Sequence, residues 1–205
     1  MIVMQPVLEV RPSDGFTLWP VDGSAPYGFL ALDGALGPAG IGTAVMSVAA
    51  HNDVDPGEDR PSRPDEPLDG FLHGLLTMDE LFAAGGLRVT DTVSGTTLVP
   101  GCCTGLEEWR EWYGLLDDRV PLYLGHDPWP LAEHVGDRVR LTVDTERDDS
   151  PVIELTAAGL RALLAGVERD LDDFHRLAAA WAERHLPDHA APVTAALSQA
   201  LDLTP

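Results

Sequence analysis

Residues 156–187 read TAAGLRALLAGVERDLDDFHRLAAAWAERHLP, and this stretch decides the fold. Leu160, Leu163, Leu164, Val167, Leu171, Phe174, Ala178, Trp181 and His185 recur at steps of three or four. That spacing places them on one face of a long amphipathic helix. Thr156 stands where a hydroxyl can cap the first turn, and Pro187 marks the end. A helix of this length spans about 45 Å at ~1.5 Å per residue. A second stripe, Val193, Ala196, Leu197 and Leu201, predicts a shorter helix over roughly 192–202. The pair reads as a helical hairpin over 156–203, and its apolar face needs a sheet to cover it.

Upstream, the apolar runs are short and broken by turn residues. Val7–Val10, Phe16–Trp19 and Tyr27–Leu32 read as strands, with Asp-Gly pairs at 14–15, 22–23 and 33–34 marking turns. Ile41–Ala50 fits a fourth strand or a short buried helix, and its periodicity does not decide. Leu87–Thr90 and Thr97–Val99 flank Val93-Ser94-Gly95 as a hairpin, Val120–Leu124 is a further short strand, and Val139–Val143 pairs with Val152–Leu155. Thr77-Met78-Asp79-Glu80 has the form of a capping box, which predicts a short helix ended by Gly85-Gly86. Residues 51–70 carry four prolines, many acids and almost nothing apolar, and predict a long exposed acidic loop. The expected class is therefore α+β: one domain over 1–205, with a mixed or antiparallel sheet and the long C-terminal hairpin packed against it.

The chain has 34 acids against 13 bases, a net charge of −21, and every base is arginine. The acids are spread along the whole length. Nucleic acids and anionic membrane surfaces both require basic patches, so neither is expected as a partner, whereas a basic protein is. No apolar run approaches the roughly 20 residues of a membrane span. Met1–Pro6 has neither the basic nor the apolar region of a signal peptide, so the expected compartment is the cytoplasm. Two cysteines are too few for a secreted disulfide scaffold.

The chemistry-bearing residues concentrate in Pro100-Gly101-Cys102-Cys103-Thr104-Gly105-Leu106-Glu107-Glu108-Trp109-Arg110-Glu111-Trp112. Thr104 to Glu107 again has the form of a capping box, which predicts a helix from Gly105 to about Leu116. Its positive end would favour the thiolate of Cys102 or Cys103, and Glu107 and Glu108 would oppose it. Adjacent cysteines have Cα atoms about 3.8 Å apart, below the usual disulfide range of roughly 4.4–6.8 Å. They also lack the two-to-four-residue spacing of common zinc sites, so a metal would need His126, Asp127 or His134 as well. The alternative is two small side chains packing a strand–helix turn.

The turn Gly125-His126-Asp127-Pro128-Trp129-Pro130 presents a histidine beside an acid, which suits acid–base work. Cys102, Cys103, His126 and Asp127 are accordingly the catalytic candidates, and Cys102, Cys103, His126 and His134 the metal candidates. Trp109, Arg110, Trp112 and Trp129 are the binding candidates, because Trp and Arg dominate binding hot spots; the competing reading places the aromatics in the core. The chain has no Gly-x-Ser-x-Gly elbow, P-loop, dinucleotide fingerprint or His-Glu-x-x-His.

The segments Pro100–Trp112 and Gly125–Trp129 resemble uncharacterised actinobacterial proteins that carry a cysteine run before a Gly-Leu-Glu-x-Trp-Arg helix. In those proteins the run is often three cysteines, where this chain has Thr104. The likeness covers residues 100–130 and implies a grouping without an activity. Together these readings predict a non-catalytic cytoplasmic protein that binds a basic partner, immunity- or inhibitor-like, with no cofactor. The alternative is a small thiol- or metal-dependent enzyme or redox sensor built on Cys102 and Cys103 with His126 and Asp127, zinc being the metal.

Overall fold

The computed structural model describes residues 1–57 and 60–203. Within them the chain runs β1 (Ile2–Glu9), β2 (Phe29–Ala31), α1 (Pro38–His51), α2 (Pro67–Thr77), β3 (Gly85–Asp91), β4 (Thr97–Leu98), a single 3-10 turn (Leu106–Glu108) and α3 (Glu111–Asp117). It continues through β5 (Leu122–Tyr123), β6 (Leu131–Val135), β7 (Arg138–Thr142), β8 (Val152–Thr156), α4 (Ala157–His185) and α5 (Ala190–Ala200). The class is α+β, as the patterning predicts. The strands form two antiparallel four-stranded sheets rather than one, ordered β2-β1-β3-β4 and β5-β6-β7-β8. No helix among the described residues is long and apolar enough to cross a membrane.

Helix α4 is the common support. Its N-terminus is capped by Thr156 Oγ1, which accepts from the amide of Gly159 at 3.0 Å. Leu160, Leu164, Val167, Leu171, Phe174, Ala178 and Trp181 are all buried along one face, and each large side chain so covered stabilises the fold by about 1.5–3 kcal/mol. That face packs on β1 of the first sheet and on β7 and β8 of the second, with α5 folded back alongside it. One continuous cluster of buried side chains joins both sheets to the helices.

The patterning misplaces several upstream elements. Ile41–Ala50 lies in α1, a helix buried on every side from Gly40 to Ala49, which is why it shows no helical periodicity. Phe16–Trp19 is not a strand: Trp19 is buried, and its indole N–H donates to the carbonyl of Gly42 at 2.8 Å. Thr77-Met78-Asp79-Glu80 does not start a helix, because Thr77 ends α2 and its hydroxyl donates to the carbonyl of His73. Helix α2 opens at Pro67, where a missing amide proton costs nothing. The acidic loop 51–70 is correspondingly shorter: His51 ends α1, Asn52 is buried, and Pro67–Gly70 is helical. Glu58 and Asp59 of that loop lie outside the described residues. The helix expected from Gly105 to Leu116 is split between the 3-10 turn and α3.

Strand β1 runs through Pro6, a residue that ordinarily excludes a central strand. Strand β2 pairs only with Val7–Glu9, and the carbonyl of Pro6 accepts from Leu32 just beyond β2. The absent amide thus falls at the end of that ladder. Strands β4 and β5 then lead into two loops, 99–105 and 124–130, that carry the residues of interest.

Candidate functional site

The two loops are held together by their backbones. The amide of Gly101 donates to Leu124 O at 2.7 Å, that of Cys102 to His126 O at 2.6 Å, and that of His126 back to Cys102 O at 3.3 Å. This close approach requires glycine on both sides. A Cβ on Gly101 would lie 2.6 Å from both the His126 amide nitrogen and the Pro128 carbonyl oxygen. A Cβ on Gly125, whose φ is +94°, would lie 2.5 Å from the Cys102 carbonyl oxygen. Thr104 fastens the thiol turn from below, its hydroxyl within reach of Gly85 O at 3.1 Å and Gly101 O at 2.9 Å.

This clamp sets the side chains. Cys103 and Asp127 adopt left-handed backbone, with φ of 68° and 52°, a conformation costly for the cysteine and more easily taken by an aspartate. Both cysteines are reduced and exposed. Their sulfurs are 3.2 Å apart. Each can offer a ligand atom, as can His126, and the three atoms lie within 4.8 Å of one another. His126 Nδ1 stands 3.3 Å from the Asp127 carboxylate, and its ring lies 5.7 Å from that of Trp129, centroid to centroid.

The electrostatics follow from these contacts. Cys103 is held below its ordinary thiol value, first by the hydrogen bond from Cys102 and then by that from His126. Cys102 is pushed above its ordinary value, first by the same shared contact, because one proton serves both sulfurs. His126 is raised by its contact with Cys103 and next by Asp127. The expected help from a helix N-terminus does not materialise. Gly105, not Thr104, precedes the helical turn, and that turn is three residues long. Glu107 instead accepts from the amide of Ala83 at 2.9 Å, and its burial raises its carboxyl above the ordinary glutamate value.

The other candidates separate. His134 lies on β6 opposite Val139, outside the Cys102–Cys103–His126 group, with both ring nitrogens buried and unpartnered. Trp109 and Trp112 are buried at 1% and 2% exposure and do not form an exposed patch. The Trp109 indole N–H donates to Leu201 O at 3.0 Å. Arg110 stacks over that ring at 4.4 Å and pairs with Asp202 and Glu168, so both residues secure the end of α5. Trp129 is 42% exposed, beside His126.

Gly101 and Gly125 are the participants that residue-type reasoning missed. The available signal was positional: a glycine immediately precedes each reactive pair, Cys102-Cys103 and His126-Asp127. The fold and site thus define an α+β protein with an exposed dithiol–imidazole group on two clamped loops. Comparison with family models, curated proteins and solved structures returned no significant match.

Proposed function

We propose that this protein binds a thiophilic divalent metal ion, zinc by preference, through Cys102, Cys103 and His126. The observation that carries the reading is the convergence of three soft-metal ligand atoms within 4.8 Å, from two loops far apart in sequence. The bite suits a tetrahedral ion. Two sulfurs on a tetrahedral zinc stand about 3.8 Å apart for Zn–S bonds of about 2.3 Å. The sulfurs at 3.2 Å therefore need to part only slightly. A linear two-coordinate ion would leave His126, the third atom of the group, without a role. Asp127 supports the reading from behind: a carboxylate on one ring nitrogen of a histidine orients the other towards a metal. Three protein ligands leave a fourth position for water, the arrangement of zinc ions that act as Lewis acids. In the cytoplasm, the compartment expected from the sequence, both thiols stay reduced and available.

The test is a zinc titration of the reduced, metal-free chain against a chromophoric chelator. One ion per chain is expected, with Cys102→Ser, Cys103→Ser and His126→Ala each weakening binding at least about tenfold. Absence of stoichiometric binding, or binding that survives loss of both thiols, overturns the proposal.

A second reading, an acidic surface that engages a basic protein, is supported by the net charge of −21 and by exposed Trp129. It predicts an affinity that falls steeply as ionic strength rises. Trp109 and Trp112 lend it no support.

A further inference from the structure

The same pair of sulfurs has a second chemistry open to it. We infer that Cys102 and Cys103 form a reversible redox switch, closed by a hydroperoxide into a vicinal disulfide that dismantles the metal site. The inference rests on the zinc reading for its consequence, and on sulfur geometry alone for the switch.

Three observations carry it. The chain contains only two cysteines, so any disulfide within it joins this pair. The sulfurs already touch at 3.2 Å, and both are exposed, so a small oxidant reaches them without any opening of the fold. The backbone that holds them is fixed from both sides, by the Gly101–Leu124 and Cys102–His126 hydrogen bonds and by Thr104, so oxidation meets a preset pair.

One thiolate sulfur attacks the terminal peroxide oxygen; the O–O bond breaks, and the departing hydroxide or alkoxide takes a proton to become water or an alcohol. The sulfur that made the attack is now a sulfenic acid. The second sulfur attacks it, the S–S bond forms, and the expelled hydroxide takes another proton. Two thiols and one hydroperoxide yield one disulfide, with two waters from hydrogen peroxide or one water and one alcohol from an organic hydroperoxide; both electrons pass from sulfur to oxygen. A disulfide has no thiolate left to hold a cation, so the ion leaves. Adjacent cysteines close at a Cα separation of about 3.8 Å, below the unstrained range, and strained disulfides are readily reduced. The switch is therefore reversible by an ordinary dithiol.

The experiment treats both the metal-free and the zinc-loaded chain with hydrogen peroxide. Zinc release is followed with a chromophoric chelator, and the tryptic fragment Val89–Arg110, which holds both cysteines, is followed by mass. The expected result is a fragment lighter by two hydrogens, one zinc released per disulfide, and recovery of binding with dithiothreitol. In Cys102→Ser and in Cys103→Ser the loss of two hydrogens disappears, and a dimedone adduct on the remaining cysteine takes its place. Conversion to sulfinic acid without a disulfide, disulfide-linked dimers alone, or a disulfide that leaves zinc in place each overturns the inference. If the disulfide closes in a chain that never bound zinc, the metal reading fails and the thiol switch stands.

Discussion

The amide of Cys102 donates to the carbonyl of His126 at 2.6 Å, and this bond across 24 residues turns two unremarkable loops into one site. Neither loop holds its side chains in place alone. The glycine on each side permits the approach, and the left-handed Cys103 and Asp127 aim the thiol and the acid.

Gly125→Ala therefore attacks the site through its backbone. Alanine at a positive φ costs about 1–2 kcal/mol, and here its Cβ also meets the Cys102 carbonyl. Gly95→Ala, at φ +76° with open space around it, isolates the conformational cost. Denaturant unfolding should show Gly95→Ala paying only the first term, with zinc affinity intact. Gly125→Ala should lose more stability and also lose zinc affinity. Equal effects of the two substitutions on zinc binding would show that the clamp does not position the ligands.

Trp109 and Trp129 should behave as opposites. Trp109 is 1% exposed with its N–H bonded to Leu201 O, so Trp109→Ala is expected to cost about 3–5 kcal/mol. Trp129→Ala, at 42% exposure, should stay within about 1 kcal/mol of the parent. Thermal or denaturant unfolding of the two variants distinguishes a core tryptophan from a surface one. A mild Trp109→Ala would contradict its place in the core.

Glu107 gives a pH dependence with an unusual sign. Burial raises its folded-state value above 4.5, so the folded chain holds the proton more tightly than the unfolded one. Its contribution is then fully present below the unfolded value and is lost as pH rises through the folded value. Glu107→Gln keeps an acceptor for the Ala83 amide without the charge, and should be as stable as the parent or more so at neutral pH, with the difference closing below 4.5. Glu107→Ala leaves that amide unpartnered, at about 1–3 kcal/mol. A Gln variant clearly less stable at neutral pH would mean that the ionised carboxylate is favoured there.

Residues 156–203 are legible because one long amphipathic face dominates every other signal, and Thr156 and Pro187 bound it. Elsewhere, tertiary contacts override local pattern. Helix α1 is apolar all round and so has no period; Pro6 sits in a strand because β2 stops short of it; and Glu107 serves the amide of Ala83 instead of capping its own turn. The site was half legible. Residue types marked Cys102, Cys103, His126 and Asp127, but only a bridge between distant loops joins them. The same residue types also marked Trp109 and Trp112, whose burial no local pattern could separate from exposure. His134 shared its chemistry with His126 and lacked its place.

The two thiols should label at different rates. In the reduced, metal-free chain Cys103 carries the lowered value and Cys102 the raised one, each first through the contact with the other. Alkylation near neutral pH should modify Cys103 first, detected by fragmentation of Val89–Arg110. His126→Ala should slow it, since His126 is the second cause of the lowering. Zinc should protect both. Preferential labelling of Cys102 would reverse the assignment of the proton within the pair.

Asp127 has two opposing effects on zinc binding, and pH separates them. Its carboxylate helps raise His126, after Cys103, above the ordinary 6.5, so protons compete with the metal further into the neutral range. The same carboxylate orients the ring through Nδ1 at 3.3 Å. Asp127→Asn removes the charge, which eases proton competition, but weakens the orienting contact. Well above the histidine range only orientation remains, and the loss of a carboxylate behind a histidine ligand typically costs about 10–100-fold in metal affinity. Asp127 is 84% exposed, so the lower end of that range is expected here. As pH falls through the His126 titration, the parent should begin to lose affinity at higher pH than the variant, and the gap between the two curves should narrow. Parallel curves would place Asp127 outside the histidine's titration, and equal affinity at high pH would leave it no orienting role.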